Sequence, residues 1–160
     1  MQASPGPIIE RDVSALKYST EKITKICAEI KNAIHLLEDI GKFPFERFSS
    51  EPHLVSSAKY NFIVAIEGVI DLCNHAISQN SLTPPDDYSH AIMILSEQAA
   101  YPLEFAASLV KAIKFRNRLV HIYWEVGERE LYAILTSNLD ELKAFLGYYG
   151  RFMGISGSTV

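Results

Sequence analysis

The chain has 160 residues, of which 48% are hydrophobic and 21% are charged, and its formal net charge is -4 at pH 7. This length and composition predict one globular domain with a hydrophobic core. The acidic balance excludes broad nonspecific nucleic-acid binding through net charge, so any RNA contact has to be local. No segment reaches the roughly 18 apolar residues of a membrane span, and residues 1–7 lack signal-peptide features, so we expect a cytoplasmic protein.

The first helix is predicted over residues 10–40, where apolar residues recur at spacings of three and four after a flexible N-terminus at 1–8. Gly41 and Pro44 are typical of a helix end that cannot continue. We interpret the next segment, 42–50, as a loop. Three of its side chains are expected to anchor it on the bundle: Phe43, Phe45 and Phe48.

A second long helix is predicted over residues 52–79, with Ser49 or Ser50 followed by Pro52 as its start. It should run antiparallel to the first helix. Cys27 and Cys73 fall on the apolar stripes of these two helices. They are interpreted as reduced core thiols, because a domain of this size does not need a disulfide and the spacing does not fit a zinc site.

Four shorter helices are predicted to follow a Pro-rich loop that ends on an N-cap before Tyr88. Their ranges are 88–99, 103–123, 128–135 and 137–153. Pro102 opens the second of them, and a Ser137-x-x-Asp140 capping box opens the last. A flexible tail is expected at 154–160. The sequence therefore predicts an all-α, up-and-down helical bundle in one domain over 9–153.

Four chemically useful side chains lie within eight residues at the end of the predicted 103–123 helix: Arg116, Asn117, His121 and Tyr123. At about 100° per residue, one face of the helix should carry all of them. Guanidinium is permanently charged and suits phosphate oxygens, and imidazole takes and returns a proton near neutral pH. Cleaving RNA without a metal requires a base for the ribose 2'-hydroxyl and a cation for the phosphate.

The surroundings of this segment are locally basic. Lys111, Lys114, Arg116 and Arg118 lie between Glu104 and Glu125 with no other carboxylate in the interval. Lys114 and Arg118 are therefore candidate RNA-binding residues. The alternative is a solvated helix face beside an interior histidine.

The segment 116–123, Arg-Asn-Arg-Leu-Val-His-Ile-Tyr, resembles the Arg-x4-His-x-Tyr signature of the HEPN superfamily in the form carried by HepT-like toxins. Residues 65–75 resemble the second helix of that family, and 84–88 resemble the entry to its third. The resemblance extends over about residues 10–150. It is more specific than an isolated Arg-x4-His motif, because motif, helix order and loop agree.

The resemblance implies a metal-independent RNA endonuclease toxin without a cofactor, acting as a homodimer in which Arg116 and His121 are catalytic. His121 would activate the 2'-hydroxyl and Arg116 would hold the scissile phosphate, with Asn117 fixing the imidazole or a phosphate oxygen. Asp71 on the second helix is the expected supporting carboxylate. Tyr123 is implied as the residue to which a minimal nucleotidyltransferase antitoxin attaches AMP.

The motif departs slightly from the family pattern, with Ile122 where polar residues are frequent and Trp124 after the tyrosine. Trp124 suits core packing, dimer packing or base stacking. A competing interpretation is a noncatalytic helical module that binds a nucleotide or a nucleotidyltransferase. A phosphorelay bundle is disfavoured, because His121 lies in a cationic segment. The nuclease is favoured if Arg116 and His121 both face one solvent-accessible cleft at a dimer interface. A His121 buried against Leu and Ile side chains would exclude catalysis.

Overall fold

The computed structural model describes residues 16–160, which form an all-α bundle of seven helices and one 3₁₀ turn. The helices are α1 (Thr20–Gly41), α2 (Phe45–Ser50), α3 (Pro52–Gln79), α4 (Tyr88–Glu97), α5 (Leu103–His121), α6 (Glu128–Ser137) and α7 (Leu139–Met153). The 3₁₀ turn is Tyr123–Glu125. The segment predicted as a flexible N-terminus, 1–8, lies outside the described residues.

The first described helix begins at Thr20, so the prediction that it already includes residues 16–19 is wrong, and the predicted helical residues 10–15 lie outside the described range. Ser19 has an extended backbone, and its side chain accepts a hydrogen bond from the Lys22 amide at 3.3 Å, which marks the helix start. Leu16 is partly buried against the core without being helical. Because Leu16 is buried without being helical, the apolar spacing in the sequence continued past the start of α1.

Helices α1 and α3 form the antiparallel pair on which the bundle is built. The start of α1 meets the end of α3, where the Ser19 amide donates to His75 Nε2 at 3.0 Å and the Lys17 amide donates to Asn80 Oδ1 at 2.8 Å. Midway along the pair, Gly68 lies so close to Ile30 that a Cβ there would sit 2.4 Å from Cγ1. The predicted pairing and the predicted bounds of α3 are both confirmed.

The predicted loop at 42–50 is wrong in part, because Phe45–Ser50 forms the short helix α2. Phe48 is fully buried, and the rings of Phe45 and Tyr132 meet edge to face at 5.5 Å, which confirms the anchoring role for these two phenylalanines. For Phe43 the role stays a prediction. Glu51 occupies the N-cap position of α3, but its side chain accepts from Arg47 Nε and makes no capping hydrogen bond to the helix amides. The Ser50 hydroxyl instead donates to the Arg47 carbonyl.

Helix α4 is capped as predicted, since the Asp87 carboxylate accepts from the His90 amide at 2.7 Å. The capping box at Ser137 and Asp140 is wrong. Ser137 is the last residue of α6, and its hydroxyl donates to the Ala133 carbonyl, so the next helix begins only at Leu139. A serine that still has helical backbone cannot act as an N-cap.

Helix α7 ends at Met153 and is capped by Gly154, whose φ of 69° lies in the left-handed region that favours glycine. The chain then turns back, and Val160 packs on Gly150 so closely that a Cβ there would meet it at 2.6 Å. The mobility expected of 154–160 stays a prediction.

Both cysteines are buried free thiols that form no disulfide, as predicted. Burial raises the pKa of the Cys73 thiol to about 12, so this sulfur stays protonated and behaves as part of the core. Across residues 16–160, no helix combines the length and the apolar character required to cross a bilayer.

Candidate active site

The motif lies where α5 ends, and this end comes two residues earlier than predicted. The amide of Ile122 still donates to the Arg118 carbonyl, but Ile122 has left helical geometry, and Tyr123 starts the 3₁₀ turn. Asn117 and His121 remain one turn apart on α5. Tyr123 therefore does not share their helical face, and the expectation of four side chains on one stripe is wrong for it.

The Arg116 side chain is largely enclosed, with 12% of it exposed. Its Nη2 donates to Glu67 Oε1 of α3 at 2.6 Å, and its Nη1 donates to Asn117 Oδ1 at 3.0 Å. The guanidinium also lies 5.4 Å from the ring centre of Tyr88 at the start of α4. Three helices thus orient the cation, and rigid orientation is what a phosphate-binding guanidinium requires.

One nitrogen of this guanidinium has no partner. Arg116 Nε is buried and makes no hydrogen bond to any residue in the described range. A buried N–H without an acceptor is costly, and such groups are often found at functional sites. The unpaired Nε–H of Arg116 therefore marks this part of the chain as a candidate site.

The carboxylate that contacts Arg116 is Glu67 rather than the predicted Asp71. Both residues lie on the same flank of α3, one turn apart, so sequence spacing alone did not separate them. Asp71 is exposed. Although the residue is exposed as a whole, desolvation of its carboxyl by neighbouring protein atoms raises the pKa. The charges of Glu67 and Glu29 raise the pKa further, and the charge of Lys22 lowers it. Asp71 makes no ion pair with Arg116, and Glu67 takes its expected place.

Asn117 supports Arg116 rather than the imidazole, since its amide oxygen accepts from the guanidinium. His121 is exposed at the end of α5, and within the part of the chain that the structure describes its side chain makes no hydrogen bond or ion pair. The condition that would have excluded catalysis, an imidazole buried among aliphatic side chains, is not met. An exposed imidazole is available to a substrate.

The two predicted RNA-binding cations have different surroundings. Lys114 is exposed and makes no ion pair with another described residue. Arg118 instead forms a two-point pair with Glu130 of α6, with 2.9 Å between Nη2 and Oε2, and it lies 3.6 Å from Glu125. Arg118 lowers the pKa of the Glu130 carboxyl. The fold thus brings a carboxylate from α6 to a segment whose own sequence has none between Glu104 and Glu125. It neutralises part of the positive charge expected there.

Sequence reasoning missed Lys59, which holds the turn that carries Tyr123. Its ammonium donates to the Tyr123 carbonyl at 2.9 Å and lies 4.0 Å from the centre of the Tyr123 ring. The available signal was a lysine placed among apolar residues at helical spacing, four after Val55 and three before Phe62. A lysine at such a position points toward a neighbouring element of the bundle and not toward solvent.

The outer surface of the motif is apolar and aromatic. Trp124 is 81% exposed, which excludes core packing within the described chain and leaves dimer packing or base stacking. Val120 is also exposed, whereas Phe115 is buried in the core. Among residues 16–160, no three His, Cys, Asp or Glu side chains are grouped closely enough to hold a metal ion.

Solved structures with this fold include HEPN-type toxins. The tri-AMPylated HEPN toxin of Shewanella oneidensis, solved in complex with its MNT antitoxin, is 22% identical over 81% of this chain and 96% of that one, with a TM-score of 0.74. A toxin-antitoxin structure with AMP-PNP gives 22% identity over 79% and 96%, with a TM-score of 0.71.

YutE from Bacillus subtilis, described as a cytosolic protein of unknown function, is 18% identical over 86% of this chain and 92% of that one, with a TM-score of 0.74. At these identities the likeness establishes the fold. A search of curated protein sequences gives no match. The family model "Ribonuclease HepT-like" matches residues 30–148, which include the motif and five complete helices from α2 to α6. The chain therefore belongs to the HepT-like ribonuclease family.

Proposed function

We propose that this protein is a metal-independent RNA endonuclease and the toxin of a toxin-antitoxin pair. The observation that supports it best is that the end of α5 carries both an exposed imidazole and an oriented cation. His121 is open to solvent, and Arg116 is fixed by Glu67 and Asn117 one turn earlier. These two groups supply the base and the charge stabilisation that the cleavage needs.

In the proposed reaction, His121 accepts the proton of a ribose 2'-hydroxyl. The 2'-oxygen attacks the adjacent phosphorus, the bond from phosphorus to the 5'-oxygen breaks, and the products are a 2',3'-cyclic phosphate and a 5'-hydroxyl. Arg116 stabilises the charge on the phosphate oxygens, and Lys114 contributes to RNA binding. The leaving 5'-oxygen needs a proton, and a second His121 from a homodimer would donate it.

A homodimer also suits the chemistry of the surface. The motif of one chain offers a single imidazole, whereas two motifs facing a shared cleft would separate the acid from the base. The exposed Val120 and Trp124 beside the motif give such a dimer an apolar contact. Because the net charge is -4, pairing two Arg116 side chains would also concentrate positive charge where RNA binds.

Tyr123 is the proposed control point. The residue is 42% exposed and follows closely the helix that ends with His121. A partner nucleotidyltransferase would catalyse attack of the phenol oxygen on the α-phosphorus of ATP, with loss of the phenol proton and departure of pyrophosphate. The attached AMP would place a bulky anion at the site and exclude RNA. Localisation in the cytoplasm, where such a partner and RNA substrate are available, belongs to the same proposal.

The test is cleavage of RNA in the presence of EDTA. The parent protein should cleave, His121→Ala should lose about 10²–10⁴-fold in kcat, and Arg116→Ala about 10²–10³-fold. Matched controls are His53→Ala and Arg151→Ala, which remove exposed side chains from the start of α3 and from α7 and should retain activity. Activity that survives in both motif variants would refute the assignment.

A noncatalytic module is the second candidate function, and the ion pair at the site favours it. Arg116 is bound to Glu67 and is mostly enclosed, as expected of a structural cation. In this case the same surface binds a nucleotide or a nucleotidyltransferase partner. Intact mass on the cleavage sample separates the two functions, since an inactive chain carrying AMP is a silenced toxin and an inactive unmodified dimer is a binding module.

A further inference from the structure

Lys59 is a buried cation without an acidic partner. The residue is 6% exposed, and no carboxylate in the described range lies within ion-pair distance of its ammonium. The two polar contacts of the ammonium both involve Tyr123. They are a hydrogen bond to its backbone carbonyl at 2.9 Å and a contact with its ring face, 4.0 Å from the centre. Apart from tyrosine and cysteine, the other buried polar side chains in that range are those of Asn61 and His75.

This arrangement leaves hydrogen-bonding capacity unused. An ammonium has three N–H donors, and the described residues supply one hydrogen-bond acceptor, the Tyr123 carbonyl. Burying a cation away from water costs free energy unless counter-charge or acceptors replace the lost hydration, and one carbonyl and one ring compensate for this only in part. The position of Lys59 therefore suits an anion that is absent from the unmodified chain.

We propose that Lys59 is the internal counter-ion for an anionic group carried on the phenol oxygen of Tyr123. The inference rests on the proposed function, in which Tyr123 receives AMP through a phosphodiester. That linkage carries one negative charge on two free oxygens, attached to the ring that the ammonium already contacts. Because lysine is a flexible chain ending in three rotatable donors, small torsional changes direct them to those oxygens.

The consequence is a modified turn that is held against α3. In the unmodified protein, Lys59 caps the Tyr123 carbonyl and keeps the turn close to His121. After modification, the same cation binds the phosphodiester and retains the nucleotide beside the motif. Lys59 is then a positioning residue, and it makes the silenced state more stable than a nucleotide free in solvent would be.

The competing role for Lys59 is purely structural. A cation near the end of α5 interacts favourably with the carbonyls there, because a helix C-terminus carries partial negative charge. In that role the stability of the protein depends on Lys59, but the effect of a charge on the phenol oxygen of Tyr123 does not. A double-substitution cycle separates the two roles.

The experiment replaces Tyr123 with sulfotyrosine by genetic code expansion. The sulfate ester places one negative charge on the same phenol oxygen and requires no partner enzyme. We expect the sulfate to raise Tm by about 2–4 °C more in the parent than in Lys59→Met, and Lys59→Arg to retain most of this difference. Equal shifts in the parent and in Lys59→Met overturn the proposal.

Sulfotyrosine at position 60 is the matched control. Tyr60 is the next residue on α3 and is 65% exposed, and its ring has no lysine against it in the described structure. A sulfate there should give the same Tm shift with or without Lys59.

A second measurement covers the case in which Lys59→Met does not fold. Trp124, the single tryptophan of the sequence, follows Tyr123 directly, so its fluorescence reports on the turn. Sulfate at position 123 should reduce acrylamide quenching of the parent, and unchanged quenching overturns the proposal. Neither readout uses RNA. If the parent shows the coupling between Lys59 and the sulfate but does not cleave RNA, the nuclease function is rejected and the counter-ion role of Lys59 is kept.

Discussion

The two faces of α3 show how one helix serves both as scaffold and as support for the site. Toward α1, Gly68 admits Ile30 at close range, and His75 closes the end of the pair by accepting from Ser19. Toward the motif, Lys59 and Glu67 extend charged groups to the turn and to Arg116. The scaffold face buries apolar or neutral groups whose hydrogen bonds are satisfied, whereas the motif face carries charges that are only partly compensated. Uncompensated charge is useful where a charged substrate binds.

The largest stability effect is expected from filling the space at Gly68. The Cβ of Gly68→Ala would sit 2.4 Å from Ile30 Cγ1 and 2.8 Å from Cδ1, so α1 and α3 would have to separate or Ile30 would have to move. Overpacking of this kind costs about 1–3 kcal/mol, which exceeds the gain of up to about 1 kcal/mol from replacing glycine inside a helix. Thermal and urea unfolding should show the loss.

Gly147→Ala on α7 is the matched control for this substitution. The nearest atom to its added Cβ is the flexible end of Arg151 at 3.4 Å, so the helix-propensity gain should dominate. If both alanine variants are stabilised, the close contact between α1 and α3 does not limit the packing of the bundle.

A pH effect is expected at the opposite end of the pair, where His75 must be neutral to accept from the Ser19 amide. Burial lowers the pKa of His75, and Lys22 lowers it further. A depressed folded-state pKa means that the unfolded chain binds the proton more tightly. The contribution of His75, about 1 kcal/mol for one such hydrogen bond, is therefore complete above the unfolded value near 6.5 and is lost as pH falls through the folded pKa.

The measurement is Tm from pH 8 to pH 5 for the parent and for His75→Gln, which keeps an acceptor and does not titrate. The parent should lose more Tm than the variant as the pH falls. His53→Gln, at an exposed position near the start of α3, should follow the parent. A parallel pH dependence in the parent and in His75→Gln would show that the protonation state of His75 does not support the start of α1.

The order of the helices could be predicted because it depends on local signals. Apolar spacing, Pro52, Pro102 and the cap at Asp87 are visible in sequence, and the structure has helices where they indicate them. The short helix at 45–50 was missed because six residues are too few to show a helical period.

The site was only partly predictable, because its contacts join distant segments. Arg116 and His121 were identified as candidates from the motif, but the choice between Glu67 and Asp71 depends on how α3 is rotated against α5. Sequence spacing likewise gave no sign that Glu130 would reach Arg118 from α6. Ion pairs between elements follow from packing, and packing is not a property of one segment.

The smallest effect we predict is the most informative about the motif face of α3. Glu67→Gln keeps an oxygen that can accept from Arg116 Nη2 and removes the negative charge with which an RNA phosphate must compete. If the protein cleaves RNA, KM should fall by a few-fold with little change in kcat, because the change affects binding in both ground and transition states. Asp71→Asn removes the same charge one turn away without touching Arg116, and its effect on KM should be smaller. Steady-state kinetics at one fixed ionic strength would measure both, since electrostatic binding to RNA weakens with salt. A rise in KM for Glu67→Gln alone would mean that the full carboxylate is needed to orient Arg116, so that Glu67 supports the phosphate site instead of competing for it.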